Sequence, residues 1–330
     1  MMKVAHQGYH WNRGLGRFFE GWYYRLTLPQ FQQSFAFMYA IDDPQGGTAY
    51  SGGSVQVLGV NDQHIWRTLP SVQGFYASWE RLNLSHWHSG EGYSASDRHN
   101  QGRIYDPVKD LTCTWDYRMQ AISNDRSATM GWLSYFSVFA PGWQILKLHG
   151  LGSGCVAWGD HFYDFEDAPV YMEKNWGGAF PEQWFWVQCN AFDGNSNLSV
   201  VCAGGKRKTL GISSDVAMVA VYHNGKVYNF MPDQSEIYCD IEPWGSWKIQ
   251  AYNNRRQRVE LRGKTDSLGT WIMVPTARGL KFSCRDTAIG KIKLTLVHDG
   301  KTIQASSNQA ALEVGGKTWY TPWQFKSASI

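Results

Sequence analysis

The chain is short of the residues that build helices. Its 330 positions hold 10 Glu and 20 Leu, against 17 Trp, 17 Tyr and 16 Phe. Helix interiors favour Ala, Leu, Glu and Lys, so a chain with nearly as many Trp as Leu is not an all-α protein. Charge is scarce as well, at 18% of residues against a usual ~25%. The formal net charge of +3 is too small to suggest a nucleic-acid partner. Two short basic clusters, Lys206-Arg207-Lys208 and Arg255-Arg256-Gln257-Arg258, read as solvated turns, with anionic lipid as the alternative. No apolar run approaches the ~18 residues that a membrane-spanning helix needs. The first eleven residues carry no apolar stretch of signal type, so the expectation is a cytoplasmic, non-secreted protein. Six scattered Cys without a CxxC pair indicate neither a disulfide framework nor a zinc site. No GxGxxG opens a helix, and P-loop and GxSxG motifs are missing, so no nucleotide cofactor is expected.

What the chain does have is period-two alternation. Phe35, Phe37, Tyr39 and Ile41 share one strand face, and Ser34, Ala36, Met38 and Ala40 the other. Leu111, Cys113, Trp115, Tyr117 and Met119 alternate with Thr112, Thr114, Asp116, Arg118 and Gln120 in the clearest half-buried strand. Segments 216–222 and 226–231 flank Asn224-Gly225, and 292–297 and 302–305 flank Asp299-Gly300. Both dipeptides accept φ > 0 at both turn positions, so each pair predicts a hairpin. Segments 247–252 and 258–262 suggest a third. Residues 61–110 are the least regular, with 73–82 the best place for a short helix. Phe19-Glu20-Gly21-Trp22-Tyr23-Tyr24 is faintly echoed by Glu182-Gln183-Trp184-Phe185-Trp186, half a chain later. Duplication and chance both explain such an echo. The pattern predicts an all-β fold: two barrels or strongly bent antiparallel sheets packed together, with little helix. The units are expected at 1–165 and 166–330.

Two segments are dense in chemistry. In a strand over 18–26, Phe18, Glu20, Trp22 and Tyr24 face one way. A carboxylate among aromatics must be paired, hydrogen-bonded or protonated. Glu20 is therefore either satisfied by backbone amides, Arg17 or Arg25, or held neutral as a proton donor. In the second segment Glu173, Lys174, Asn175 and Trp176 are consecutive. In extended chain Glu173 and Asn175 point one way, Lys174 and Trp176 the other. The histidines, including the His86/His88 and His6/His10 pairs, lack companions at metal-ligand spacing, so no metal is expected. On residues alone, an aromatic-lined β cavity fits a glycan-binding or glycan-cleaving protein as well as a carrier of an apolar ligand.

The segments HQGYHW (6–11), RFFEGWYYR (17–25), GWQI (142–145), DAPVYMEKNWGGAFPEQWFWVQCNAF (167–192) and CRD (284–286) resemble the tocopherol cyclase family of cyanobacteria and plastids. The resemblance runs from His6 to about Trp323. The lack of a transit peptide and a shorter 61–110 region suit a cyanobacterial member. It implies a cofactor-independent closure of a prenylated methyl-hydroquinol to a chromanol, on a fold of two lipocalin-like β units. It also implies a substrate with a phytyl tail, and hence a peripheral protein that touches membrane lipid through Trp143 and Trp244. A non-catalytic prenylquinol carrier is the alternative. A strong acid must protonate the prenyl double bond before the phenol attacks. On this reading Glu173 or Glu20 is the acid, with Lys174 a candidate for holding the hydroquinol oxygens and Trp176 an aromatic face for the cation. Asn175, Trp22, Tyr24, His10, Trp184, Trp186 and His161 are expected to bind substrate, with Trp22 and Trp176 facing the cation.

Overall fold

The computed structural model describes residues 7–13, 16–122, 142–209 and 212–327. Among these residues the chain forms 22 strands and three short 3-10 turns, with no α-helix. Among the described residues no helix is long and apolar enough to cross a membrane. The chain divides into two compact units. One is Met1–Phe180 with Pro275–Lys281, the other Pro181–Val274 with Phe282–Ile330.

The first unit is a single antiparallel sheet of eleven strands. They are β1 (Phe19–Leu28), β2 (Gln33–Asp42), β3 (Gly52–Leu58), β4 (His64–Leu69), β5 (Phe75–Ala77), β6 (Asn83–His88), β7 (Glu91–Ser96), β8 (His99–Asp106), β9 (Leu111–Ala121), β10 (Gly142–Trp158) and β11 (His161–Gly177). Their spatial order is β4-β3-β2-β1-β11-β10-β9-β8-β7-β6-β5. The expected boundary at 165/166 falls inside β11. Residues Val170–Gly177 of that strand pair with Leu26–Phe19 of β1, which keeps the whole strand in the first unit. The helix expected at 73–82 is instead a 3-10 turn, Val72–Gly74, followed by β5. Phe75 there is the cross-strand partner of His86, and an aromatic segment without a helical period finds its partners in a sheet.

The sheet curls until distant strands meet across its inner face. Tyr39 on β2 stacks on Tyr93 on β7 at 3.9 Å, and its hydroxyl donates to Asn100 Oδ1 on β8 at 2.6 Å. The same oxygen accepts from the Trp115 indole at 3.0 Å, while Asn100 Nδ2 donates to the Tyr117 hydroxyl at 2.9 Å. One buried amide thus satisfies three aromatic side chains, as a buried polar group must be. Arg17 ties the 275–281 stretch to this unit: it pairs with Asp42 at 2.6 Å and donates to the Thr276 carbonyl at 2.8 Å.

The second unit comprises β12 (Gln183–Cys189), β13 (Leu198–Thr209), β14 (Ile212–His223), β15 (Lys226–Phe230), β16 (Ser235–Ile241), β17 (Ser246–Asn253), β18 (Arg258–Lys264), β21 (Lys301–Gly316) and β22 (Trp323–Lys326), with β19 (Thr270–Thr276) up to Val274 and β20 (Gly279–His298) from Phe282 on. Its sheet runs β15-β14-β13-β12-β21-β20-β18-β17-β16-β22, with β19 on β20. The three predicted hairpins are β14–β15, β17–β18 and β20–β21. In the first and third, Asn224 and Gly225, and Asp299 and Gly300, adopt the positive φ that two-residue turns require. Its core holds Phe185, Val187, Trp247 and Leu312 among others.

His64 on β4 is buried, with Nε2 3.1 Å from Gln56 Oε1. Burial, helped by the charge of Lys109, pulls its imidazole down from 6.5 to about 4. The unfolded chain therefore binds a proton that the folded one refuses, and stability is lost as pH falls from about 6.5 towards 4. Denaturant melts across that window should show His64→Gln with a shallower pH slope, by up to one proton or about 1.4 kcal/mol per pH unit. Identical slopes for the two proteins would count against this account.

Candidate functional site

The pairing of β1 with β11 assembles both dense segments. Trp22 opposes Lys174 and Glu20 opposes Trp176, while Tyr23 opposes Glu173 and Arg25 opposes Tyr171. Directly opposed residues in an antiparallel pair project to one face. Glu20, Trp22, Tyr24, Lys174 and Trp176 therefore share the inner face, where Trp22 and Tyr24 join the aromatic core. Glu173, Asn175, Tyr171, Tyr23 and Arg25 share the outer face.

On the inner face Lys174 gathers the N-terminal segment. Its Nζ donates to the carbonyls of Gly8 (2.6 Å) and Gln7 (3.3 Å) and to Glu20 Oε1 (3.0 Å), and lies 3.0 Å from His10 Nδ1. Lys174 and Glu20 are both 0% exposed. The His10 amide donates to Glu20 Oε2 at 2.8 Å, and the His10 ring stacks on Trp176 at 3.9 Å with a 4° tilt. Burial pushes the Glu20 carboxyl up, but the Lys174 charge and the His10 hydrogen bonds outweigh it and hold Glu20 below the usual carboxylate range. Burial in turn pulls the Lys174 ammonium down, against the pull of Glu20. Glu20 is thus a fixed anion in a clamp. An acid has to carry its proton before it can give it to an alkene, and the ion pair keeps Glu20 without one.

On the outer face Glu173 is 6% exposed. Its Oε2 accepts a 2.6 Å hydrogen bond from the hydroxyl of Tyr171, two residues away on the same strand. The Tyr171 ring meets Tyr23 edge to face at 6.4 Å. Arg25, fully buried beside them, donates to Ser34 Oγ at 3.3 Å. Strand alternation thus separates the expected set. An acid at Glu173 has Tyr23 and Tyr171 as its aromatic neighbours, and not Trp22 or Trp176. Tyr171 went unnoticed in the sequence, although the i, i+2 spacing Tyr171/Glu173 marks a shared face.

The other expected residues fall elsewhere. The Tyr24 hydroxyl is taken by the Ser96 carbonyl at 3.2 Å. Asn175 is half-buried on the Glu173 face. His161 is exposed at the start of β11, a contour of roughly 40 Å along the strand from Lys174, and does not join them. Trp184 and Trp186 lie on β12 in the second unit. There the Trp184 indole donates to the Glu313 carboxyl, and Trp186 and Asp286 are the cross-strand neighbours of Glu313. Burial holds Glu313 above its ordinary value, although Trp184 and the Cys284 thiol donate to it. A lone Glu inside the apolar run Ala310-Ala311-Leu312-Glu313-Val314 was the sequence signal for this buried acid. Of the two aromatics expected to meet lipid, only Trp244 stays partly exposed. Trp143 is buried, and Trp244 packs edge to face on Trp247 at 5.3 Å beneath the Arg285 guanidinium.

The clamp makes a sharp energetic prediction. Lys174→Met should cost about 3–5 kcal/mol in denaturant melts, because it strands the buried Glu20 carboxylate. Adding Glu20→Gln should restore a large part of that loss. A double variant no more stable than Lys174→Met would show that the pair is not a mutually compensating unit.

Comparisons with known proteins bear on what this site belongs to. Residues 16–316 match the family model described as tocopherol cyclase-like. A chloroplastic protein of Oryza sativa subsp. japonica, named probable tocopherol cyclase, is 32% identical over 385 residues, covering 99% of this chain and 82% of that protein. The chloroplastic tocopherol cyclase of Zea mays is 31% identical over 380 residues, covering 98% and 80%. Among solved structures, CghA with Sch210972 aligns with a TM-score of 0.55 at 10% identity, covering 92% of this chain and 90% of that one. An AttH-type protein of Nitrosomonas europaea aligns with a TM-score of 0.52 at 12% identity, covering 94% of each. At such identities these structures speak for the fold alone. With a family match across most of its length and relatives above 30% identity, the chain belongs to the tocopherol cyclase-like family.

Proposed function

We propose that this protein closes the chromanol ring of a prenylated methyl-hydroquinol. The dimethyl-phytyl-hydroquinol would give γ-tocopherol, and the monomethyl analogue δ-tocopherol. The family match over residues 16–316 carries this reading. The chemistry asks for an acid that protonates a trisubstituted alkene, so that a tertiary cation forms and the phenol oxygen attacks it. The phenol proton leaves as the carbon–oxygen bond forms, so the step is an isomerisation needing neither oxidant nor reductant. Of the two acids expected from the sequence, Glu20 is held as an anion by Lys174, and Glu173 is the proposed donor. A buried acid among aromatic rings suits this chemistry, since general acids contribute about 10²–10⁴ in rate. Nearby aromatic faces favour a cation that exists only after protonation. A second carboxyl answers the same description, since burial favours the neutral form of Glu313 beside two indoles.

A phytyl substrate dissolves in membrane, so we place the protein at the lipid interface. The exposed aromatics Tyr76 on β5 (55%) and Trp87 on β6 (40%) supply a surface of the kind that sits at headgroup level.

Three measurements test these readings. Incubation with the phytyl hydroquinol in D₂O should leave one deuterium on the new ring's CH₂; unchanged hydroquinol after many equivalents of protein would point to a carrier instead. In the same assay Glu173→Gln should lose about 10²-fold or more in turnover with its melt preserved. Full activity in that variant, with loss in Glu313→Gln, would move the acid to Glu313. For the interface, Tyr76→Ser/Trp87→Ser should co-sediment several-fold less with phosphatidylcholine vesicles than the unaltered protein, and equal co-sedimentation would remove that surface from the proposal.

A further inference from the structure

The outer-face pair of Tyr171 and Glu173 carries more than a place for an acid. We propose that Tyr171 is a positioning residue for proton transfer: it fixes which oxygen of Glu173 donates and takes up part of the charge left behind. This rests on the cyclase reading with Glu173 as the acid.

The geometry supports it in three ways. First, the 2.6 Å hydrogen bond ends on Oε2. An oxygen that accepts so short a bond is the poorer seat for the carboxylic proton, which assigns that proton to Oε1. Secondly, both groups stand on one strand two residues apart, and Tyr171 is fully buried with its ring set against Tyr23. The hydroxyl therefore has little freedom to turn away, and its ordering is complete before substrate arrives. Thirdly, the bond changes character during the reaction. While Glu173 is protonated, it links two neutral groups. Once the Oε1–H bond breaks and the alkene π pair forms the new C–H bond, Tyr171 donates to a carboxylate. Charge-assisted hydrogen bonds are roughly twice as strong as neutral ones. The interaction thus strengthens as charge develops, which is the kind that lowers a barrier instead of merely holding the ground state. The cation is then closed by the phenol oxygen, and the proton released by that phenol balances the one Glu173 gave up.

The test is Tyr171→Phe in the full chain, with the phytyl hydroquinol as substrate and kcat measured against pH. Phenylalanine keeps the ring and its packing on Tyr23 but removes the donor. We expect kcat on the plateau to fall about 10-fold, with KM changed less than about twofold. Without the donor the carboxylate is less favoured, so Glu173 keeps its proton to higher pH. The basic limb of the kcat profile should therefore move upward in pH while the plateau drops. A residue that only fills space would lower the melt and leave that limb where it is. In a Glu173→Gln background, Tyr171→Phe should cost no further activity.

The failures are separable. No chromanol from the unaltered protein overturns the cyclase reading. Turnover that survives Glu173→Gln overturns the acid assignment, and this inference with it. Turnover lost in Glu173→Gln but with kcat and limb unmoved in Tyr171→Phe overturns this inference alone.

Discussion

Everything at the site depends on the antiparallel pairing of β1 with β11. It brings Glu20 and Lys174 together from 154 positions apart, and its register decides which side chains can meet. Because side chains alternate along a strand, consecutive Glu173 and Lys174 cannot serve one pocket. Lys174 turns inward to Glu20, His10 and the backbone of the N-terminal segment. Glu173 turns outward to Tyr171. A shift of one residue in that register would exchange the two sets and put a lysine where the proposed acid stands.

The two faces handle buried charge differently. Inside, a lysine and a glutamate neutralise one another, and the surplus donors of the ammonium go to main-chain carbonyls. Such a pair is weak evidence for net stability, since desolvation offsets much of the attraction. What it does secure is conformation, because the chain around Gly8 must follow a path that brings its carbonyl to Nζ. Outside, Glu173 accepts from the Tyr171 hydroxyl on a face it shares with the buried Arg25.

Much of the fold was legible because its signals are local. Asn224-Gly225 and Asp299-Gly300 announce their hairpins through a backbone conformation that few other residues accept. The alternation from Leu111 to Gln120 survives unchanged in β9, whose Cys113, Trp115, Tyr117 and Met119 are all buried. The short helix failed at 73–82 because β5 is only three residues long, too short for a period to show. At the site, composition pointed to the right segments and alternation to the right faces. What no local rule contains is partnership across the sheet. That Lys174 reaches Glu20, that Tyr24 gives its hydroxyl to Ser96, and that Trp184 serves Glu313 are all consequences of pairings between distant strands. His161 shows the converse: residues close in sequence to a site lie far from it when a long strand separates them.

The seven residues 275–281 belong to the first unit although almost a hundred residues of the second precede them. On the ribosome, β1 to β11 are all synthesised well before this stretch emerges, so Arg17 waits for the Thr276 carbonyl until most of the chain exists. A fragment ending near Phe180 would carry every strand of the first sheet and still lack one of its parts. The boundary between its halves is therefore not a place to cut the chain.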